Sequence, residues 1–384
     1  MSEHAIRVAV LVLAITVSDA AQASGFAIAE RDAEGLGRAF SGRAAVTGAA
    51  SISDNPAALP QALTLRASLS GIGNDVKATD SAGNSARGGE DALIPAAYAA
   101  WKGAGIGIDA PFGLSTSYPK DWSGRYAALH SEITAARFTV GIGRDVGGGW
   151  RIGAATFAQH LSAELSSAAP IAPGLDGYLE VEGSDTGFGV SLGSLWRPRE
   201  GLTIGAAYTS PVWHELTGDA DLPSALGRRA DTRVKVVTPE SIRLGINWKA
   251  AARWRLLAGA EWTRWSRLQT LDIRLSNGLT LSEEHGWRDT WRLSLGGEHR
   301  HVPWTLRAGL AWDQSPVRDA AHRYPRLPDA DRTWLAAGLG YHAEPWQFDA
   351  GFSHLFVAER GGEHPRISYE SATSILSASL TYRW

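Results

Sequence analysis

Two short runs place carboxylates one residue apart, Gly218-Asp219-Ala220-Asp221-Leu222-Pro223 and Leu327-Pro328-Asp329-Ala330-Asp331-Arg332. Oxygen ligands at that spacing could hold a divalent cation weakly. The proline in each run places it in a loop, where solvated carboxylates need no ion. The chain has 11 His, but none form a pair on one face at metal-ligand spacing, so His214, His285, His299 and His301 read as interfacial or loop residues. Cysteine is absent, which excludes a disulfide framework, thiol catalysis and thiolate metal sites. The run "GIGRDVGGG", Gly141 to Gly149, lacks the Gly-Lys-Ser/Thr of a phosphate loop and reads as hairpin chemistry. An esterase or phospholipase would need a Ser/His pair with an orienting partner. Neither Gly-x-Ser-x-Gly nor His-x-Ser occurs in a fitting context. These residues predict no catalytic set, no metal, no cofactor and no enzyme.

The elements around them speak more clearly. The chain has 384 residues, room for one large domain or two ordinary ones, and a formal net charge of -3, with no basic excess pointing to nucleic acid. Arg7, the apolar run Val8 to Val17 and the small-x-small site Ala21-Gln22-Ala23 predict a secretory signal over residues 1–23. The apolar run is too short to cross ~30 Å of hydrocarbon. Losing Glu3, Asp19 and Arg7 with the leader changes the charge to -3 + 2 - 1 = -2. No other run approaches the ~20 apolar residues of a spanning helix.

Alternation offers another way into a membrane. In "LSASLTYRW", Leu376, Ala378, Leu380, Tyr382 and Trp384 take one face, and Ser377, Ser379, Thr381 and Arg383 the other. Leu63, Leu65, Ala67 and Leu69 oppose Thr64, Arg66, Ser68 and Ser70 in the same way. Soluble sandwiches also alternate. Three details favour the membrane. Trp and Tyr cap the apolar faces, which accounts for 16 Trp; the opposite face is rich in Gly, Ser, Thr and Arg; and the last strand ends on Trp384. The expected fold is an all-β membrane protein, an antiparallel transmembrane β-barrel of about 14 strands over residues 61–384. In lipid every backbone polar group must pair internally, so the sheet must close. A barrel of that size has room for more than side chains, and residues 24–60 are left to lie in or under the lumen.

Two stretches stand out. In "SDNPAALP", Ser53 to Pro60, Asp54 or Asn55 can cap a single turn, with Pro56 at its first position and Pro60 stopping it. In "IDAPFGL", Pro111 cannot donate to a ladder, Gly113 has no side chain to pack, and Asp109 is read as interrupting a lipid-facing stripe. This marks either the end of a strand or a kink within one.

The mature start, with Gly25-Phe26, "GLGRAFSG" from Gly35 to Gly42 and Asn55-Pro56-Ala57, resembles the N-terminal hatch of the FadL/TodX-type outer-membrane transporters of long-chain fatty acids and hydrocarbons. "APFGLSTSYPKDWSGRYAALHSEI", "YTSPVWHELTGDA", "TPESIRLGINW", "WTRWSRL", "GWRDTWRLSLG", "LRAGLAWDQSPV", "RLPDADRTWLAAGLGY" and "FSHLFV" follow in the same order. The resemblance spans essentially the whole mature chain. It implies a monomeric barrel in the bacterial outer membrane, plugged by a hatch over residues 24–60, with no cofactor. It implies a hydrophobic ligand, outer-membrane lipids and lipopolysaccharide around the wall, and outer-membrane assembly machinery as a partner in biogenesis. It also implies that Asp109, Pro111, Phe112 and Gly113 form an inward kink opening a lateral gate. Gly25, Phe26, Asn55, Pro56 and Ala57 would be ligand-binding or hatch residues, and Arg288, Asp313 and Arg332 would face the ligand head or tie the hatch to the wall. The connection near 167–178 is short, where fatty-acid carriers have long outer loops, so the ligand could equally be an aromatic hydrocarbon. A non-specific porin or structural barrel is the alternative reading.

Overall fold

The computed structural model describes residues 25–363 and 366–384; the leader expected over 1–23 lies outside them. Its strands are β1 (Thr64–Asp80), β2 (Ala92–Trp101), β3 (Ala104–Ser117), β4 (His130–Gly147), β5 (Trp150–Ala172), β6 (Leu175–Arg199) and β7 (Leu202–Thr209, continued by Val212–Asp221). There follow β8 (Arg229–Thr238, Ser241–Trp248), β9 (Trp254–Thr263, Thr270–Leu275), β10 (Thr280–Glu284, Thr290–His301), β11 (Trp304–Asp313), β12 (Arg332–Ala343), β13 (Trp346–Val357) and β14 (Arg366–Arg383). Each pairs antiparallel with the next, and β14 closes onto β1 from Thr64↔Arg383 to Asp80↔Ile367. The result is the closed 14-strand barrel that the alternation predicts.

Closure removes the sheet edges that lipid cannot solvate. Leu93, Ile108, Phe138, Leu295 and Leu376 are exposed on the outer face, while Ser70, Thr139, Ser294 and Ser377, one residue out of phase with such positions, are buried inside. Trp150, Trp254, Trp304 and Trp346 ring the end that carries the short turns, and Trp213, Trp291 and Trp312 ring the other. Short turns mark the periplasmic end of an outer-membrane barrel. The β5–β6 hairpin extends well past the outer girdle and turns within two residues at 173–174, so the connection near 167–178 is strand rather than loop.

Regularity fails at one level. The strands β7 to β10 are interrupted at 210–211, 239–240, 264–269 and 285–289, and there Trp265 and Trp287 are buried in the interior. At the same level β3 bulges. Its pairing to β4 jumps from Asp109↔Arg137 to Phe112↔Ala135, leaving one extra residue on β3. The β2–β3 ladder stops at Ala97↔Ile108, and among the described residues pairing resumes only at the isolated bridge Gly89↔Thr116.

Residues 25–60 lie inside the barrel. They form four short turns, Ala33–Leu36, Arg43–Ala45, Ser51–Asp54 and Pro56–Ala58, that touch strands all round the wall. The wall accommodates them with glycine. A Cβ on Gly205 would lie 1.9 Å from the Ala44 carbonyl oxygen, and one on Gly309 would lie 2.2 Å from the Arg38 carbonyl carbon.

Candidate ligand-binding site in the lumen

Charge holds the N-terminal segment in place. Arg31 donates to Asp54 at 3.2 Å and Asp109 at 3.3 Å; Arg38 pairs with Glu298 at 3.0 Å; Arg66 pairs with Asp32 at 3.1 Å and Glu34 at 2.6 Å; and Arg43 pairs with Glu261. Removing one partner of such a buried pair typically costs about 3–5 kcal/mol, because the survivor keeps an uncompensated charge.

Asn55 is fully buried and caps the Pro56–Ala58 turn, its Oδ1 accepting from the Ala57 N–H at 3.0 Å. Its Nδ2 donates to the carbonyls of Ala44 at 2.6 Å and Ser194 at 3.0 Å, so one side chain ties the turn both to the rest of the segment and to β6. Asn55→Ala removes these bonds, at about 1–3 kcal/mol for each buried group left unsatisfied. We expect the barrel of this variant to stay folded, as read by its heat-dependent gel mobility, while a protease added to the periplasmic face cuts the segment faster. Unchanged cutting would reduce Asn55 to a local cap.

Asp109 corrects the reading from sequence. It lies inward with Gly105 and Gly107, whereas Ile106 and Ile108 face lipid, so it interrupts no lipid-facing stripe. Arg137 holds it at 3.0 and 3.1 Å, Arg31 at 3.3 Å and the Tyr98 hydroxyl at 3.1 Å. Beyond it, the edge of β3 that no longer meets β2 is taken by the N-terminal segment. Ile28 N–H donates to the Pro111 carbonyl at 2.9 Å, and Gly113 N–H donates to the Phe26 carbonyl at 2.8 Å. The structure thus brings Phe26, Pro111, Phe112 and Gly113 together.

Phe26 anchors an aromatic partition. Its ring lies 5.5 Å from Phe112, 4.9 Å from Trp265 and 6.0 Å from Trp287, and Trp265 meets Trp287 edge-on at 5.2 Å. On the outer side Phe26 and Trp287 floor an apolar pocket walled by Leu114, Leu161, Leu216 and Ile273, with about 870 Å³ between atoms including its open mouth. Its lining is almost wholly hydrocarbon, as a site for an apolar ligand requires. On the inner side Phe112 and Trp265 border a polar cavity lined by Arg31, Arg43, Arg137, Arg243 and Arg292 with Glu261 and Asp313.

The three polar candidates separate. Asp313 lines the polar cavity, 4.0 Å from Arg292. Arg332 is buried against Asp329 at 2.6 Å. Arg288 is part-exposed in the 285–289 interruption, donating to the Ser315 carbonyl at 3.2 Å, away from both cavities. Gly25 has φ +60 and donates its N–H to Asp329 Oδ2 at 3.0 Å. Asp329 is therefore a buried anchor and not the solvated loop carboxylate expected of "LPDADR". At the pocket mouth sits Arg326, donating to Glu283 at 3.1 Å and to Ser131 Oγ at 3.1 Å. Sequence reasoning missed Trp265, Arg326 and Asp329. A signal for Trp265 existed: it follows Trp262 by three residues, which a straight strand cannot place on one face. Strand pairing also brings His130, Glu132 and Glu164 within 4.8 Å on the outer face, a grouping that linear spacing hides.

A closed barrel with an apolar outer face, an occupied lumen and a greasy pocket beside a wall defect has the architecture of an outer-membrane β-barrel protein. The profile of the Outer membrane protein transport protein (OMPP1/FadL/TodX) family matches residues 14–382, and the chain belongs to that family. It is 29% identical over 345 residues to an outer membrane protein of Neisseria meningitidis serogroup B, covering 76% of this chain and 74% of the other. It is 26% identical to the long-chain fatty acid transport protein of Salmonella typhi, covering 90% of this chain and 91% of the other. Among solved structures, a Pseudomonas aeruginosa FadL homologue superposes with a TM-score of 0.84 at 24% identity, covering 93% of this chain and 99% of the other. The Pseudomonas putida toluene transporter TodX superposes with a TM-score of 0.77 at 17% identity, covering 91% and 97%. The chain is thus an outer-membrane transport protein of the FadL/TodX type.

Proposed function

We propose that this barrel takes up hydrophobic molecules passively, by affinity, through a lumen that residues 24–60 plug, and releases them sideways between β2 and β3. The observation that carries this reading is the adjacency of the apolar pocket, the Phe26 partition and the unpaired stretch of β3. A ligand crossing the lipopolysaccharide leaflet gains ~25 cal/mol per Å² of apolar surface buried in such a pocket, which suffices without an energy source. The N-terminal segment covers the far side of the pocket through Phe26, and the same residues occupy the freed edge of β3. Movement of Phe26 would therefore open the floor and the side exit together. The protomer carries a complete pocket and gap, which suits a monomer.

Proteoliposomes test this reading against the porin. Swelling in small sugars is expected to match protein-free vesicles, while native mass spectrometry of the purified protein retains a lipid or hydrocarbon. Rapid swelling would sink the plugged-transporter reading.

A further inference from the structure

The periplasmic mouth of the lumen is strongly cationic. Lys249, Arg253, Arg255, Arg300, Arg307 and Arg383 converge on one pocket there, against the acids Glu34 and Glu298, a balance of 6 - 2 = +4. Both acids are already engaged. Glu34 accepts from Arg66 at 2.6 Å and Arg38 at 3.0 Å; Glu298 accepts from Arg38 at 3.0 Å and Arg255 at 3.3 Å. Lys249, Arg253, Arg300 and Arg383 make no ion pair among the described residues.

This excess does not serve the surrounding phospholipid. Alternation sends Trp254, Trp304 and Trp346 to the lipid face, and their neighbours Arg255, Thr305 and Gln347 to the lumen. By the same phase Arg383 follows Thr381 and Ser379, which are buried inside, and Arg300 follows Glu298. The floor is built rather than frayed. Arg307 is only 6% exposed, donates Nη1 to Asp349 at 2.9 Å and sets its Nε 3.5 Å from Glu298 Oε1. Gln347, 4% exposed, donates to the same Asp349 at 2.8 Å. The cup holds about 930 Å³ between atoms including its open mouth, which leaves room for a small anion and its water.

We infer that this vestibule binds a small oxyanion, a carboxylate or a phosphate, on the periplasmic side of the N-terminal segment. The forked donors of Arg300 and Arg383 match paired oxygens of a carboxylate or a phosphate. The site is separate from the apolar pocket, from which residues 25–60 divide it. It would attract anionic cargo, or free phosphate, to the inner mouth of a barrel whose outer pocket is almost wholly hydrocarbon.

Isothermal titration of the full-length protein in detergent, with inorganic phosphate and with octanoate as probes, tests this. The comparison is the double variant Arg300→Gln/Arg383→Gln, whose two side chains are exposed and make no ion pair, so folding is preserved and can be checked by gel mobility. Saturable binding of either probe, weakened about tenfold by the double variant and by high salt, is the expected result. Octanoate that phosphate displaces marks recognition of the oxyanion alone. Octanoate weakened by the variant but not displaced marks a site that also uses the acyl tail. Equal binding to both proteins, or no saturable binding of either probe, overturns the assignment.

Discussion

Gly205→Leu is expected to turn the closed barrel into a leaking one. A Cβ at this position lies 1.9 Å from the Ala44 carbonyl oxygen and 2.5 Å from its carbon, and both atoms belong to backbone that cannot rotate away. The whole turn Arg43–Ala45 must therefore lift, and with it the Arg43–Glu261 pair and the Asn55 bond to the Ala44 carbonyl. The barrel should survive. Gly205 pairs with Leu195 on β6 and Gly245 on β8 through main-chain groups, and leucine fits a strand better than glycine does. Sugar-driven swelling of proteoliposomes should rise by about an order of magnitude, since the lumen of a barrel this wide conducts once emptied. The control is Ile204→Leu, one residue away on the lipid face. If Gly205→Leu folds and stays as tight as wild type, the N-terminal segment is not what seals the lumen.

Much of this arrangement was legible in the residues. Alternation fixes which side chains of β1 and β14 face lipid, and the alternating runs that start at Leu63 and Leu376 fall within or at the edge of Thr64–Asp80 and Arg366–Arg383. The reason is physical: a two-sided sheet in lipid tolerates no slip of register, so the pattern is strict. Legibility ends where pairing breaks. Ile106 and Ile108 set the phase of β3 and already place Asp109 on the opposite, inner face, and the bulge begins only after it. Its partners Arg31 and Arg137 lie 78 and 28 residues away in sequence, and no local pattern announces them. The same holds for Asp329, whose partner Gly25 is 304 residues distant. Asn55 was legible as a cap, because capping is local. Its second role, reaching the Ser194 carbonyl, depends on Gly193, where a Cβ would lie 1.9 Å from the Asn55 Oδ1. Glycines of this kind are visible in sequence only as a high glycine content. What they make room for appears once the segment and the wall are seen together.

The second large effect is expected from straightening β3. The bulge sets Ala110 and Pro111 against the single residue Ala136, so deleting Ala110 and changing Pro111→Val restores one-to-one pairing between Asp109↔Arg137 and Phe112↔Ala135. Asp109 itself must stay. It neutralises Arg31 and Arg137 in the buried lumen, and its loss would destabilise the fold by about 3–5 kcal/mol and confound any transport measurement. A straight β3 could extend its ladder with β2 beyond Ala97↔Ile108, competing with Phe26 and Ile28 for the same edge. Backbone pairing then closes the wall where the proposed exit lies. Uptake of a fluorescent fatty acid or a radiolabelled aromatic hydrocarbon by cells carrying the variant should fall by about tenfold or more, which equals about 1.4 kcal/mol or more on the barrier to release. Binding of the same ligand to the purified variant should change less, because of the pocket walls only Leu114 lies on β3, while Leu161, Leu216 and Ile273 lie on β5, β7 and β9. This split between retained binding and lost uptake distinguishes a closed exit from a damaged pocket. A folded variant that both binds and transports as wild type does would remove the gap between β2 and β3 from the pathway and leave the lumen itself as the route.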